Sequence, residues 1–190
     1  MGDLQAMTGI ESRLDRIESR FALEELCMRY CTACDDRDTT MLADCFTPDI
    51  SIVATNGSMD AQGRDAVMAM YDRLFRVRGP GFHWSHDRTI TIDADNPDRA
   101  SGLILAHAET CPAGRVSIAG IRYSDRYERH AGKWYFSSRV LDFIYYMPIR
   151  DYLERFPQRE RVLTPDGWAK AEFPEGAASW SRWHEAEASG

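Results

Sequence analysis

Near residue 80 the hydropathy period turns from mainly helical to mainly alternating, and that change limits the available folds more than any motif does. From Ile10 to Asp35 apolar side chains recur at helical spacing: Leu14, Ile17, Phe21, Met28 and Cys31 form one stripe, and Leu23, Leu26, Cys27, Tyr30 and Cys34 its neighbour. So wide a stripe predicts a long helix largely buried along one side. Residues 35–49 read as the helix end, a short helix carrying Met41, Leu42 and Cys45, and a Thr-Pro-Asp turn; a strand at 50–54 then enters the turn Asn56-Gly57. Residues 63–77 return to helical spacing through Val67, Met70, Tyr71 and Leu74, and Gly79-Pro80-Gly81 stops them. Thereafter 82–93, 101–111, 116–129 and 134–146 are β-rich or alternating segments separated by turn sequences. Helices first and a strand meander afterwards predict an α+β fold, with the N-terminal helices on one side of a strongly curved antiparallel sheet.

A chain of 190 residues can bury a real core, and 1–148 reads as one domain. Residues 149–190 read as an extension, with short helical pieces at 149–157 and 166–187 that carry Trp168, Phe173, Trp180 and Trp183. Aromatic side chains of this size are costly to leave in water, so the extension is expected to pack on the domain or on a neighbouring subunit. The formal charge of −7 leaves no basic excess for phosphates, which argues against nucleic acid and anionic membranes as partners. Neither a signal-peptide core near the N-terminus nor an uncharged apolar run of about 18 residues is present, so the expected location is cytoplasmic. Five cysteines, an odd number, read as reduced thiols.

Two motifs invite metal chemistry. Cys27, Cys31 and Cys34 have the spacing of an iron-sulfur ligand set, but they fall inside a helical pattern in which small buried cysteines act as apolar residues. His83, His86 and Asp87 are suitable ligand types, yet positions 83 and 86 of one strand face opposite sides of the sheet. His107 reads as a structural or subunit-contact residue on a strand, and His130 and His184 as surface residues. No phosphate-binding loop or dinucleotide fingerprint is found. The expectation is no metal and no cofactor.

The segment RYCTACDDRDTTMLADCFTPDISI, with Tyr30, Asp35, Asp38, Leu42, Phe46, Pro48 and Asp49, resembles the first helix and following segment of NTF2-like proteins of the SnoaL type. HWSHDRTITID is similar to that family's histidine-led strand, and DRYERHAGKWYFSSRVLDF to its final hairpin. The resemblance covers about residues 10–147 and implies a cone-shaped α+β barrel. It is nearest to the dehydratase and dehydrochlorinase branch, which includes scytalone dehydratase, hexachlorocyclohexane dehydrochlorinase and bile-acid dehydratase. That branch places its helix aspartate on Asp35, its strand histidine on His83, a tyrosine on Tyr30 and an arginine on Arg139. This chain differs in having Tyr30 where the dehydrochlorinase has lysine, Asp87 where asparagine is common, and a longer tail.

Imidazole titrates near working pH and suits a general base, and a carboxylate on its far nitrogen fixes the tautomer. His83 and Asp35 therefore read as the acid/base pair, Tyr30 as a phenol donor and Arg139 as a source of fixed donors for developing negative charge. Phe82, Trp84, Leu141, Phe143 and Tyr145 are expected to line the substrate pocket. Without the resemblance, Asp35 reads as part of a solvated helix end, Tyr30 as a core residue and Arg139 as an ion-pair partner. The implied function is a cofactor-independent lyase that eliminates water or another small fragment, such as formaldehyde, from a hydrophobic aromatic or alicyclic substrate. An isomerase or cyclase of the same design, and a non-catalytic binding module, are the alternatives. Self-association as a homodimer or homotrimer is expected.

Overall fold

The computed structural model describes residues 9–188; the first eight residues, part of the segment read above for a signal peptide, lie outside them, as do the last two. Three helices, α1 (Gly9–Asp35), α2 (Thr39–Ala43) and α3 (Arg64–Val77), accompany the strands β1 (Phe46–Ala54) and β2 (Asp60–Gln62). The meander follows as β3 (Phe82–Ile92), β4 (Arg99–Thr110), β5 (Ser117–His130) and β6 (Lys133–Pro148). The sheet runs in the order β2-β1-β6-β5-β4-β3. Neighbours are antiparallel from β3 to β6, but β1 joins β6 in parallel, so the curved sheet is mixed rather than purely antiparallel. The Thr-Pro-Asp turn expected before β1 instead lies inside that strand, as an irregular stretch between Phe46 and Ser51 in its pairing with β6.

Turn chemistry sets the meander's register. His130 pairs with Lys133 across a two-residue loop in which Ala131 and Gly132 have φ of 50° and 80°, a conformation that matches strand twist and that glycine adopts without steric cost. Three bulges then bend the strands. Ile144 is the extra residue opposite Gly120 and Ile121, Ser137 the extra one opposite Arg126 and Tyr127, and on β3 two residues, His86 and Asp87, face Leu105 alone.

The helix α1 crosses β3 and β6 and buries Leu23, Leu26, Cys27, Tyr30 and Cys34, one of its two sequence stripes. The other stripe does not follow: Leu14, Ile17, Phe21 and Met28 are exposed, together with Ile10, and only Cys31 is buried. Periodicity shows which side chains share a face; it does not show whether another element covers that face. The exposed half of α1 is tied down by charge, through Arg129, which reaches Asp15 on α1 and Asp98 at 2.6 Å each.

The extension is less helical than expected. After a 3-10 turn (Ile149–Asp151) and α4 (Tyr152–Arg155) come two short strands, β7 (Val162–Thr164) and β8 (Gly167–Ala169), and then α5 (Ala178–Ala188). Trp168 lies on β8 and Phe173 in the loop beyond it, whereas Trp180 and Trp183 on α5 are exposed. Through Val162 opposite Tyr146, β7 adds to β6 in parallel. Arg161, nearly buried, holds this segment: it donates to the carbonyls of Ile144, Gln158 and Phe173 and forms a two-pronged pair with Glu175 at 2.7 and 2.6 Å. No described helix is long and apolar enough to cross a membrane.

Candidate active site

The last residue of α1 is Asp35, where the negative end of the helix dipole disfavours a carboxylate. Its partner offsets that cost. Asp35 Oδ1 lies 2.6 Å from His83 Nδ1, and Asp35 Oδ2 accepts the backbone N–H of His83 at 2.9 Å. A carboxylate oxygen can only accept, so Nδ1 carries the proton and the neutral ring presents Nε2 as its basic atom. Neither side chain is fully shut away, at 14% exposed for His83 and 18% for Asp35.

Beside the pair lies a group of buried phenols. Tyr30 Oη and Tyr71 Oη are 2.8 Å apart. Burial raises both tyrosines well above the ordinary phenol range, and Tyr123 likewise, so they remain O–H donors at any working pH. Below them sits Arg139, 2% exposed, its guanidinium 4.2 Å from the ring centres of Tyr30, Tyr123 and Phe136. Its Nε and Nη2 donate to the two oxygens of Asp125 at 2.8 Å each, and Tyr127 Oη donates to the same carboxylate at 2.9 Å. Burial opposes the charge of Arg139, but Asp125 outweighs it and holds the guanidinium pKa well above its ordinary value. Arg139 thus lies beneath the phenols and does not line the cavities described here, contrary to the expectation that it would face developing negative charge; its Nη1 has no partner among the described residues.

Two spaces border the pair, and a third shares walls with the inner of these. An inner one of about 40 Å³ is bounded by His83, Tyr30, Tyr71, Tyr123, Tyr146 and Leu141, among others. A cleft of about 500 Å³ runs outward past Asp35, Arg37, Phe75, Arg78 and His83. A chamber of about 280 Å³ shares Met59, Arg78, Phe143 and Tyr146 with the inner space and is lined as well by Leu163, Thr164 and Pro165 of the extension.

Of the five residues expected to line the pocket, Leu141 and Phe143 do so. Phe82, Trp84 and Tyr145 do not. Strand alternation turns Phe82 and Trp84, the neighbours of His83, to the outer face, where both are exposed with ring centres 6.0 Å apart. Tyr145 is displaced by the bulge at Ile144. It joins His107 on the outer face and packs on Tyr152 and Phe156, while Tyr146 takes the inward place. Sequence reasoning missed Tyr71, Phe75, Tyr123 and Tyr146; the i, i+4 pair of aromatics on α3 was the available signal for the first two.

The candidate metal motifs separate in space. His86 sits on the outer face with Nε2 2.8 Å from Nδ1 of His107, away from His83. Cys27, Cys31 and Cys34 are buried along α1, and burial raises their thiol pKa values, that of Cys31 to about 11, opposing the thiolate form that a cluster requires. Among the described residues no three His, Cys, Asp or Glu side chains converge as a ligand group.

Comparison with solved structures finds the same architecture. A hexachlorocyclohexane dehydrochlorinase (LinA type 2) superposes with a TM-score of 0.67 at 20% identity, covering 72% of this chain and 93% of that one. Its counterpart LinA type 3 from Novosphingobium barchaimii gives 0.65 at 19% identity, over 72% and 94%. A protein of unknown function from Mycobacterium tuberculosis gives 0.60 at 25% identity, over 77% and 80%. At 19% and 20% identity the dehydrochlorinase likeness establishes the fold, not the reaction. Among curated proteins none matches by sequence at a significant level. The SnoaL-like domain model matches residues 15–140, a span that contains Tyr30, Asp35, His83 and Arg139, and with the mixed curved sheet and its N-terminal helices this places the chain in the SnoaL-like family of NTF2-like α+β cones.

Proposed function

We propose that this protein is a cofactor-independent lyase in which His83 Nε2 removes a proton from an apolar substrate while a small fragment departs toward the phenols. The carrying observation is the 2.6 Å contact between His83 and Asp35, which fixes the ring's tautomer and stabilises the imidazolium as it forms. The non-catalytic alternative expects the two side chains to lie beyond hydrogen-bond reach of each other, and the 2.6 Å contact counts against it. The inner space beside the phenols, about 40 Å³, exceeds the roughly 10–15 Å³ that one water requires, so it can receive a water-sized leaving group. The body of the substrate would then occupy the cleft and chamber, with the leaving group toward Tyr30 and Tyr71.

In dehydration, His83 takes a carbon-bound proton, the carbon-carbon double bond forms, the carbon-oxygen bond breaks, and a phenol passes its proton to the departing oxygen and regains one from the His83 imidazolium, so that water leaves and both groups return to their starting states. In the formaldehyde variant His83 takes the hydroxyl proton of a hydroxymethyl group; the carbon-carbon bond breaks, formaldehyde leaves, and its electron pair passes to the remaining fragment, displacing a leaving group or being protonated. Arg139 acts as a positioning residue that fixes the ring of Tyr30. Incubation with a panel of aryl-substituted and alicyclic alcohols, followed by mass spectrometry, is expected to detect loss of water or formaldehyde; product of unchanged mass would identify an isomerase instead. His83→Ala should lower turnover at least ~100-fold, and a variant retaining full turnover would overturn the mechanism.

A further inference from the structure

Among the described residues, Arg78 alone lines the inner space, the cleft and the chamber. It follows the last residue of α3, and its backbone is fixed there: its N–H donates to Leu74 O at 2.9 Å, its carbonyl accepts from Arg37 Nη2 at 2.7 Å, and it bridges to Pro112. Its guanidinium forms no hydrogen bond or ion pair with any described residue. The same holds for Arg115, which lines the chamber as well. In this chain Asp and Glu outnumber Lys and Arg by 30 to 23, and Arg29, Arg129, Arg139 and Arg161 each have a carboxylate within 2.8 Å. Arg78, half-buried, and Arg115, exposed, are among the arginines with none, and both line the chamber. The remaining walls include Leu74, Val77, Phe143, Met147 and Leu163.

An apolar chamber carrying two unpaired guanidinium groups suits an apolar molecule that bears an anion, because the planar guanidinium fork matches carboxylate geometry. We propose that Arg78 and Arg115 form a carboxylate-binding subsite, and that the substrate is an aromatic or alicyclic compound bearing a carboxylate, its ring in the chamber and its reacting carbon at His83. The substrate class rests on the lyase reading above; the anion subsite does not.

Calorimetric titration with cinnamate and with its uncharged amide, cinnamamide, tests the subsite. The protein should bind cinnamate at least about tenfold more tightly, the order expected of a charge-assisted hydrogen bond. Arg78→Gln and Arg115→Gln should each remove most of that preference with little change toward the amide, and Arg78→Lys should restore part of it. Equal affinity for the two probes, no binding of either, or an equal loss for both in the arginine variants overturns the subsite. His83→Ala should keep the preference. If the preference is found but neither carboxylate-bearing compounds nor the alcohols above are eliminated, the subsite stands and the lyase reading falls; His83-dependent elimination with no preference has the opposite meaning.

Discussion

Asp125 shows how much of this core depends on single charges. Its carboxylate is fully buried, accepts two hydrogen bonds from Arg139 and one from Tyr127, and neutralises the cation on which three aromatic rings rest. Removing one member of such a pair leaves a buried charge with nothing to balance it, which is much worse than losing both. Asp125→Ala is accordingly expected to destabilise the fold by roughly 3–5 kcal/mol, measured as a lower denaturation midpoint in urea. At this scale the sequence was legible where identity alone carried the chemistry: Asp35 and His83, 48 positions apart, stood out by type and by resemblance. It was illegible where geometry decided. Tyr145 and Tyr146 are neighbours of the same type, and only the extra residue at Ile144 determines that the second faces the cavity. Asp125, hidden among charged residues of an alternating strand, gave no sign that it was buried.

Among the elements, α1 departs most from its reading. The periodic pattern correctly located the helix and its buried face, but the stripe of Ile10, Leu14, Ile17, Phe21 and Met28 meets solvent. A chain that leaves such a row uncovered tends to bury it by association. Leu14→Glu combined with Phe21→Glu should lower the mass measured by light scattering while leaving the far-ultraviolet circular dichroism of the fold unchanged; an unchanged mass would show that this row is not an interface. The strands β3 to β6 were legible to within two residues because alternation and turn residues both mark them. The extension was misread for the opposite reason. Its strands β7 and β8 are three residues each and exist only because β6 offers an edge beside Tyr146, a long-range cause that no local pattern records.

For the whole molecule, burial of ionisable groups couples stability to alkaline pH. The thiols of Cys31 and Cys45 are pushed by burial from 9.0 to about 11. Below pH 9 both folded and unfolded chains keep these protons; between 9 and 11 the unfolded chain releases them first, so it binds fewer protons and stability falls as pH rises. The buried tyrosines act in the same direction. A melting temperature followed across that window should decline steadily, and more gently in a Cys31→Ala, Cys45→Ala double variant; a flat profile would contradict the burial. The extension has a different consequence for the molecule. Glu172 accepts the backbone N–H of Phe143, beside the bulge that turns Tyr146 inward, and Arg161 fastens the segment that lines the chamber. On the lyase reading proposed above, the reactive pair belongs to the sheet and first helix while part of the chamber wall belongs to the extension, so exchange of the last forty or so residues could give a lineage a new diet without rebuilding that pair.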